Sequence, residues 1–166
     1  MTDGLIRIRF VRVKGLAYNI VVWRGGICMP FTPTHAECIT PEGTCLGQHG
    51  YGGGTLDLPM GYDRADVYIM RDGRRCELIV DLPCTKAQQD AFYVYMRKPE
   101  PYDWSAPWGF LFGGHHHRKF RSMCSAKVFL ALRACGIFKW PTTLPAHEID
   151  PAILLFVAST LVEISH

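Results

Sequence analysis

The sequence predicts an α+β domain, and three observations carry that expectation. The first half reads in strand periods: Leu5 to Val13 alternates, and His35 to Thr40 and Thr44 to Gly47 flank a Pro41-Glu42-Gly43 turn. The second half reads in helical periods, after Thr85, Met123 and Asp150. A chain of 166 residues, 48% hydrophobic and 20% charged, has the size and composition of one globular domain. A single domain over 1–166 is therefore expected, with no repeat or linker.

The elements follow in chain order. Ile6, Ile8 and Phe10 alternate with Arg7 and Arg9, the pattern of a half-buried strand. Leu16, Ile20 and Trp23 fall at i, i+4, i+7 and predict a short helix, although Val21 and Val22 also suit a strand. Arg24 to Thr34 is a Gly- and Pro-rich loop. The two strands around Pro41 to Gly43 form a hairpin. Gly50 to Gly54 is nearly all glycine and reads as a flexible or close-approach loop; no helix follows at the spacing of a phosphate-binding fingerprint. Glu77 to Leu82 is a strand that Pro83 should end. Thr85-Lys86-Ala87-Gln88 resembles a capping box and opens a helix to about Arg97, with Ala87, Ala91 and Val94 facing inward beside Phe92 and Met96. Pro99 to Gly114 is aromatic and irregular, and His115 to Arg121 is a basic loop. A helix from Cys124 to about Ala134 stops at Cys135-Gly136. Asp150-Pro151 caps a last helix to about Val157.

Bulk properties narrow the function classes. A net charge of +3 is too weak to argue for nucleic acid, and no nucleic-acid partner is expected. The apolar run Ala152 to Ala158 is too short to span a bilayer, and Met1 to Arg7 lacks the apolar stretch of a signal peptide. Synthesis in a cytoplasm without stable membrane insertion is the expectation. Seven cysteines, an odd number without repeated spacing, argue for reduced thiols rather than a disulfide framework.

Two residues carry the strongest chemical signal. Cys124 opens a helix, where the dipole and free N–H groups favour a thiolate. His35 opens a strand and can accept a proton and return it. Together they are the parts of a cysteine hydrolase, provided the fold unites them.

The residues around them resemble a known superfamily. In NlpC-type papain-like peptidases a Pro-Tyr-x-Trp segment precedes a Cys-Ser that opens the catalytic helix, and a Ser-His or Thr-His begins a later strand. This chain has Pro101-Tyr102-Asp103-Trp104, Cys124-Ser125 and Thr34-His35, with the histidine first. That order resembles the circularly permuted branch, the YiiX-like hydrolases. Leu16 to Trp23, the Pro41-Glu42-Gly43-Thr44 hairpin and Glu77 to Pro83 resemble further family elements, so the resemblance spans nearly the whole chain. Ala126 stands where the family often has an acidic residue, and Gly113 to Lys119 matches no family role. Met123-Cys124-Ser125-Ala126 also lacks the Asn-Cys-Glu-His run of the related lipid acyltransferases.

The resemblance implies a permuted papain-like fold, an antiparallel sheet packed on the helix bearing Cys124. It implies Cys124 as nucleophile and His35 as base. A third polar residue on the next strand should orient the imidazole. Gln48 and His49 are the candidates, and they point to opposite faces of a regular strand. His49 keeps the expected parity after the hairpin and is preferred. Glu37 shares His35's parity but lies along the strand rather than across from it. Tyr102 matches the tyrosine that lines the site, and the backbone N–H of Cys124 forms part of an oxyanion hole.

Competing readings remain beside these. Cys124 alone would read as a buried core cysteine, His35 as a core or surface histidine, and Tyr102 as a packed aromatic. His35, Cys38, Cys45 and His49 are metal donors on one hairpin, but their spacing is no recognised zinc pattern and Cys38 has opposite parity. No metal and no cofactor is expected. The expected activity is thiol-dependent hydrolysis of an amide bond, by resemblance in peptidoglycan stem peptides. Such domains also occur in bacteriophage tails, which would deliver the enzyme without a signal peptide and add other tail proteins as partners. The alternatives are an ester or lipid hydrolase with the same Cys-His dyad, and a structural phage-tail or assembly protein with little turnover.

Overall fold

A computed structural model describes residues 3–14, 32–50, 52–63, 66–70, 73–103, 123–138, 146 and 149–164. The predicted helix at Leu16 to Trp23, the loop at His115 to His117, Trp104 and Cys28 lie outside the described residues.

The architecture is α+β. Five strands, β1 (Gly4–Val11), β2 (His35–Ile39), β3 (Thr44–His49), β4 (Gly54–Pro59) and β5 (Glu77–Cys84), form one sheet in the order β4-β3-β2-β1-β5. Every neighbouring pair is antiparallel. Among the described residues three helices follow the sheet's strands, α1 (Lys86–Met96), α2 (Cys124–Ala134) and α3 (Pro151–Ile164). Among the described residues no helix is long and apolar enough to cross a membrane.

The alternation in β1 sets the two faces of the sheet. Ile6, Ile8 and Phe10 join Ala36, Cys38, Leu46, Val80 and Leu82 in a core with Phe92, Met96, Val128, Phe129, Leu132 and Leu154 from the helices. The helices thus cover one face. Arg7 and Arg9 point to the other, but only Arg7 is exposed; Arg9 is fully buried. The part of this second face around Arg9, His35, Glu37 and His49 is polar and buried, and it carries the site.

Several expectations need correction. Residues 54–59 form β4, hydrogen-bonded to β3 from Thr44↔Pro59 to His49↔Gly54. The glycine run before it is a tight turn, with Gly53 at φ 71° and its N–H donating to Gly50 O at 3.1 Å. Pro83 does not end β5, which continues through Cys84 opposite Gly4. β5 is an edge strand, so the missing N–H leaves no ladder bond broken. The capping box at Thr85 and Gln88 is present, but α1 buries Phe92, Tyr93 and Met96, while Ala87 and Ala91 are exposed and Val94 is 65% exposed. α3 extends past Val157 to Ile164, opened by Asp150 Oδ1 accepting from Ile153 N–H at 2.7 Å.

Candidate active site

The start of β2 is fixed before His35 is placed. Thr34 N–H donates to Val11 O at 2.9 Å, and Thr34 Oγ1 accepts from Val13 N–H at 2.8 Å. The hairpin is closed by Gly43, at φ 82°, whose N–H donates to Thr40 O at 2.9 Å. A left-handed φ costs glycine least. The register pairs Cys38 with Leu46 and Ile39 with Cys45, which continues to Glu37 beside Gly47 and His35 beside His49.

The start of α2 is fixed independently. Ser125, fully buried, donates from Oγ to Ile149 O at 2.6 Å, tying the first turn to the segment before α3. Met123 is the N-cap and makes no side-chain cap hydrogen bond. The first-turn N–H groups therefore point to the site without a side-chain acceptor of their own N-cap.

The fold brings Cys124 and His35 together: the two buried side chains lie close enough that each is the other's principal charge partner. The backbone N–H groups of Ala36 and Ser125 also favour the thiolate. Burial opposes a thiolate here, yet the His35 charge and the two N–H groups together lower the thiol below its ordinary range. Burial likewise opposes the imidazolium, and the Cys124 thiolate followed by the Glu37 carboxylate raises His35. The pair therefore favours thiolate and imidazolium. Cys38, Cys45, Cys76, Cys84 and Cys135 are all raised, chiefly by burial, with Cys45 pushed up to about 12. Among the described cysteines only Cys124 is lowered.

The residue behind His35 is Glu37. Its Oε2 lies 3.5 Å from His35 Nε2 and 3.6 Å from His49 Nε2. Since Nε2 faces the carboxylate, Nδ1 is the nitrogen left for the sulfur. Glu37 lies along the strand from His35 rather than across from it, but same-face neighbours on a strand are only about 6.7 Å apart, and two long side chains bridge that gap. Gly47 makes room for it: a Cβ there would come within 2.8 Å of Glu37 Cβ.

Glu37 is in turn held by Arg9. Arg9 Nη1 donates to Glu37 Oε1 at 2.5 Å, while its other contacts go to both oxygens of Asp63 at 3.0 and 3.1 Å and to Glu77 Oε2 at 2.9 and 3.2 Å. Tyr62 Oη donates to Glu37 Oε2 at 3.0 Å. Burial would raise the Glu37 carboxyl, but His35 and Arg9 hold it down at about 2.

His49 and Gln48 part company. The His49 ring lies on the His35 face, 5.0 Å from it between centroids, with Nδ1 3.3 Å from Tyr62 Oη. Burial, with the His35 charge, pulls His49 down to about 4. Gln48 points to the opposite face, where Nε2 donates to Thr55 Oγ1 at 3.3 Å and Glu100 O at 3.2 Å. It cannot orient His35. Lys127, fully buried one turn beyond Cys124, binds the same region through Thr55 Oγ1 and Lys98 O, both at 2.5 Å. Tyr102 is buried, its N–H donating to Gly53 O at 2.8 Å, and Pro101 bridges Gly54 at the strand end that carries His49.

The four hairpin donors His35, Cys38, Cys45 and His49 do not converge. Cys38 Sγ lies in the core against Leu46 O at 3.3 Å, and Cys45 Sγ lies against Met60 Sδ at 3.3 Å. Arg9, Tyr62 and Asp63 escaped the sequence reading; an arginine alternating with apolar residues looks like a solvent face, and its partners are distant in the chain. No family model, no curated protein and no solved structure matches this chain.

Proposed function

We propose that this protein is a cysteine-dependent amide hydrolase on a circularly permuted papain-like scaffold. One observation carries the reading: a buried thiol at a helix N-terminus, charge-coupled to an adjacent imidazole that has a carboxylate beside its Nε2. The order of groups is nucleophile, base and orienter.

The chemistry follows from the placement. Cys124, as thiolate, attacks the carbonyl carbon. The oxyanion is received by backbone N–H groups at the start of α2, where the Cys124 N–H is the nearest donor. His35, as imidazolium, gives its Nδ1 proton to the leaving amine. It then takes a proton from the water that opens the thioester, and the acid product leaves with Cys124 restored. Glu37 keeps Nε2 protonated and the ring oriented throughout, and Arg9 keeps Glu37 ionised.

For substrate, the resemblance of Thr34-His35, Pro101-Tyr102-Asp103-Trp104 and Cys124-Ser125 to NlpC-type peptidases favours peptidoglycan stem peptides. Action from a bacteriophage tail belongs to the same reading. Purified peptidoglycan incubated with the protein should release new free amines, and Cys124→Ala should release none. Turnover of acyl esters or lipid amides instead would move the substrate and keep the dyad. Acylation of neither kind would favour the structural tail-protein reading.

A further inference from the structure

The Glu37 carboxylate stands between two imidazoles, and a hydrolase needs only one of them. We propose that His35 Nε2, His49 Nε2 and Glu37 Oε2 form a binding site for one divalent transition-metal ion, with Zn²⁺ the best match. The inference does not rest on the hydrolase reading: the bound ion replaces the His35 Nε2 proton used there, so the metal-loaded and the proton-carrying forms are alternative states of one site.

The three donor atoms lie within 4.8 Å of one another, and Oε2 is 3.5 and 3.6 Å from the two nitrogens. A tetrahedral Zn²⁺, bound at about 2.0–2.1 Å, spaces its ligands about 3.3 Å apart. The contacts to the carboxylate need to close by only a fraction of an ångström, and the widest donor pair by up to about 1.5 Å, within reach of a side-chain adjustment. Gly47 keeps the space open, because a Cβ there would sit 2.8 Å from Glu37 Cβ and 3.5 Å from His49 Nε2.

Proton placement points the same way. Tyr62 has one hydroxyl proton, and a carboxylate can only accept, so that proton lies toward Glu37 Oε2. The contact between Tyr62 Oη and His49 Nδ1 then runs from Nδ1–H to the phenol oxygen. In a neutral His49 this fixes the tautomer and leaves a lone pair on Nε2, aimed at the carboxylate. Two electron-rich atoms buried face to face are stable when a cation lies between them. His35 offers the matching arrangement, with Nδ1 toward Cys124 and Nε2 toward Glu37. Each imidazole thus has its outer nitrogen engaged, as metal-binding histidines do, and Glu37 Oε1 is held by Arg9.

Within this linked cluster Arg9 and His35 face Glu37, Asp63, Glu77 and Cys124, so negative groups outnumber positive ones whether or not the thiol proton has moved. Two imidazoles and one carboxylate suit Zn²⁺ better than Ca²⁺ or Mg²⁺, which prefer all-oxygen sites. On binding, metal–nitrogen bonds form at both Nε2 atoms and a metal–oxygen bond at Oε2. An imidazolium at His35 releases its Nε2 proton to solvent, and His49 releases none.

The test uses the full-length protein, stripped with chelator and titrated with Co²⁺, then competed with Zn²⁺. A ligand-field absorption saturating at one ion per chain is expected. It should lack a thiolate charge-transfer band and persist in Cys124→Ser. His49→Ala and the gentler His49→Gln should each weaken Co²⁺ binding by about tenfold or more, with circular dichroism verifying their fold. Zinc-edge X-ray absorption of the loaded wild type should show two imidazoles and oxygen, with no sulfur. A thiolate band or sulfur shell would place the metal on a cysteine and overturn the proposal. Undiminished binding by a folded His49 variant would do the same, with His115 to His117 as the first place to look.

Discussion

Replacing Glu37 by Gln keeps the side chain's shape and removes its charge, and the structure sets the size of the effect. The carboxylate accepts from Arg9 at 2.5 Å and Tyr62 at 3.0 Å and faces two imidazoles. Its pKa falls from 4.5 to about 2, although burial alone would raise it. At about 1.4 kcal/mol per tenfold change in acidity, ionised Glu37 contributes about 3 kcal/mol at neutral pH. Removal of a buried charge partner costs a similar amount, about 3 kcal/mol or somewhat less here, because Arg9 keeps Asp63 and Glu77. The sign follows from the depressed folded pKa: the contribution is full above 4.5 and is lost as pH falls toward 2. Urea denaturation of wild type and Glu37→Gln in chelator-treated buffer should therefore differ by about 3 kcal/mol at pH 7 and by roughly half that at pH 3. The same variant should alkylate more slowly at Cys124 near neutral pH, since His35 loses the carboxylate that favours its charged form. A stability difference independent of pH, or an unchanged alkylation rate, would refute the placement of Glu37 behind His35.

Timed iodoacetamide labelling with peptide mapping should modify Cys124 first at neutral pH, because each of the other described thiols is raised; faster labelling at Cys38 or Cys45 would contradict this. Gly47→Ala should destabilise by about 1–3 kcal/mol in thermal or urea melts, as its Cβ collides with Glu37 Cβ at 2.8 Å, and it should also slow Cys124 alkylation. Lys127→Ala should cost about 1–3 kcal/mol, from two lost hydrogen bonds and a buried gap, while Thr55 Oγ1 and Lys98 O remain bonded to each other; a loss under 1 kcal/mol would show that Lys127 is dispensable.

Much of the fold was legible because local patterns agreed with tertiary structure. Ile6, Ile8 and Phe10 face the helices as their alternation requires, and the Thr85–Gln88 box caps α1. The strand β4 was not legible, because the glycines before it masked a hairpin and its side chains are only half covered. Pro83 misled because edge position is a property of the whole sheet. The pairing of Cys124 with His35 was readable from residue type and element position. Its support was not. Arg9 meets Asp63 and Glu77 through long-range packing, and nothing local marks a strand arginine as buried. Glu37 was visible at the right parity but discounted on direction, where side-chain reach along the strand decides. Strand parity announced that Gln48 faces away from His49, but not the partners that hold it there, Thr55 and Glu100 O.

The most direct test of the account is intact-mass spectrometry after mixing the protein with an activated acyl amide or ester. The account predicts one acyl adduct, mapped to Cys124, absent in Cys124→Ala and formed at least about tenfold more slowly in His35→Ala at neutral pH. No adduct on wild type, or one that forms equally fast without His35, would contradict the claim that this buried pair is a working nucleophile and base.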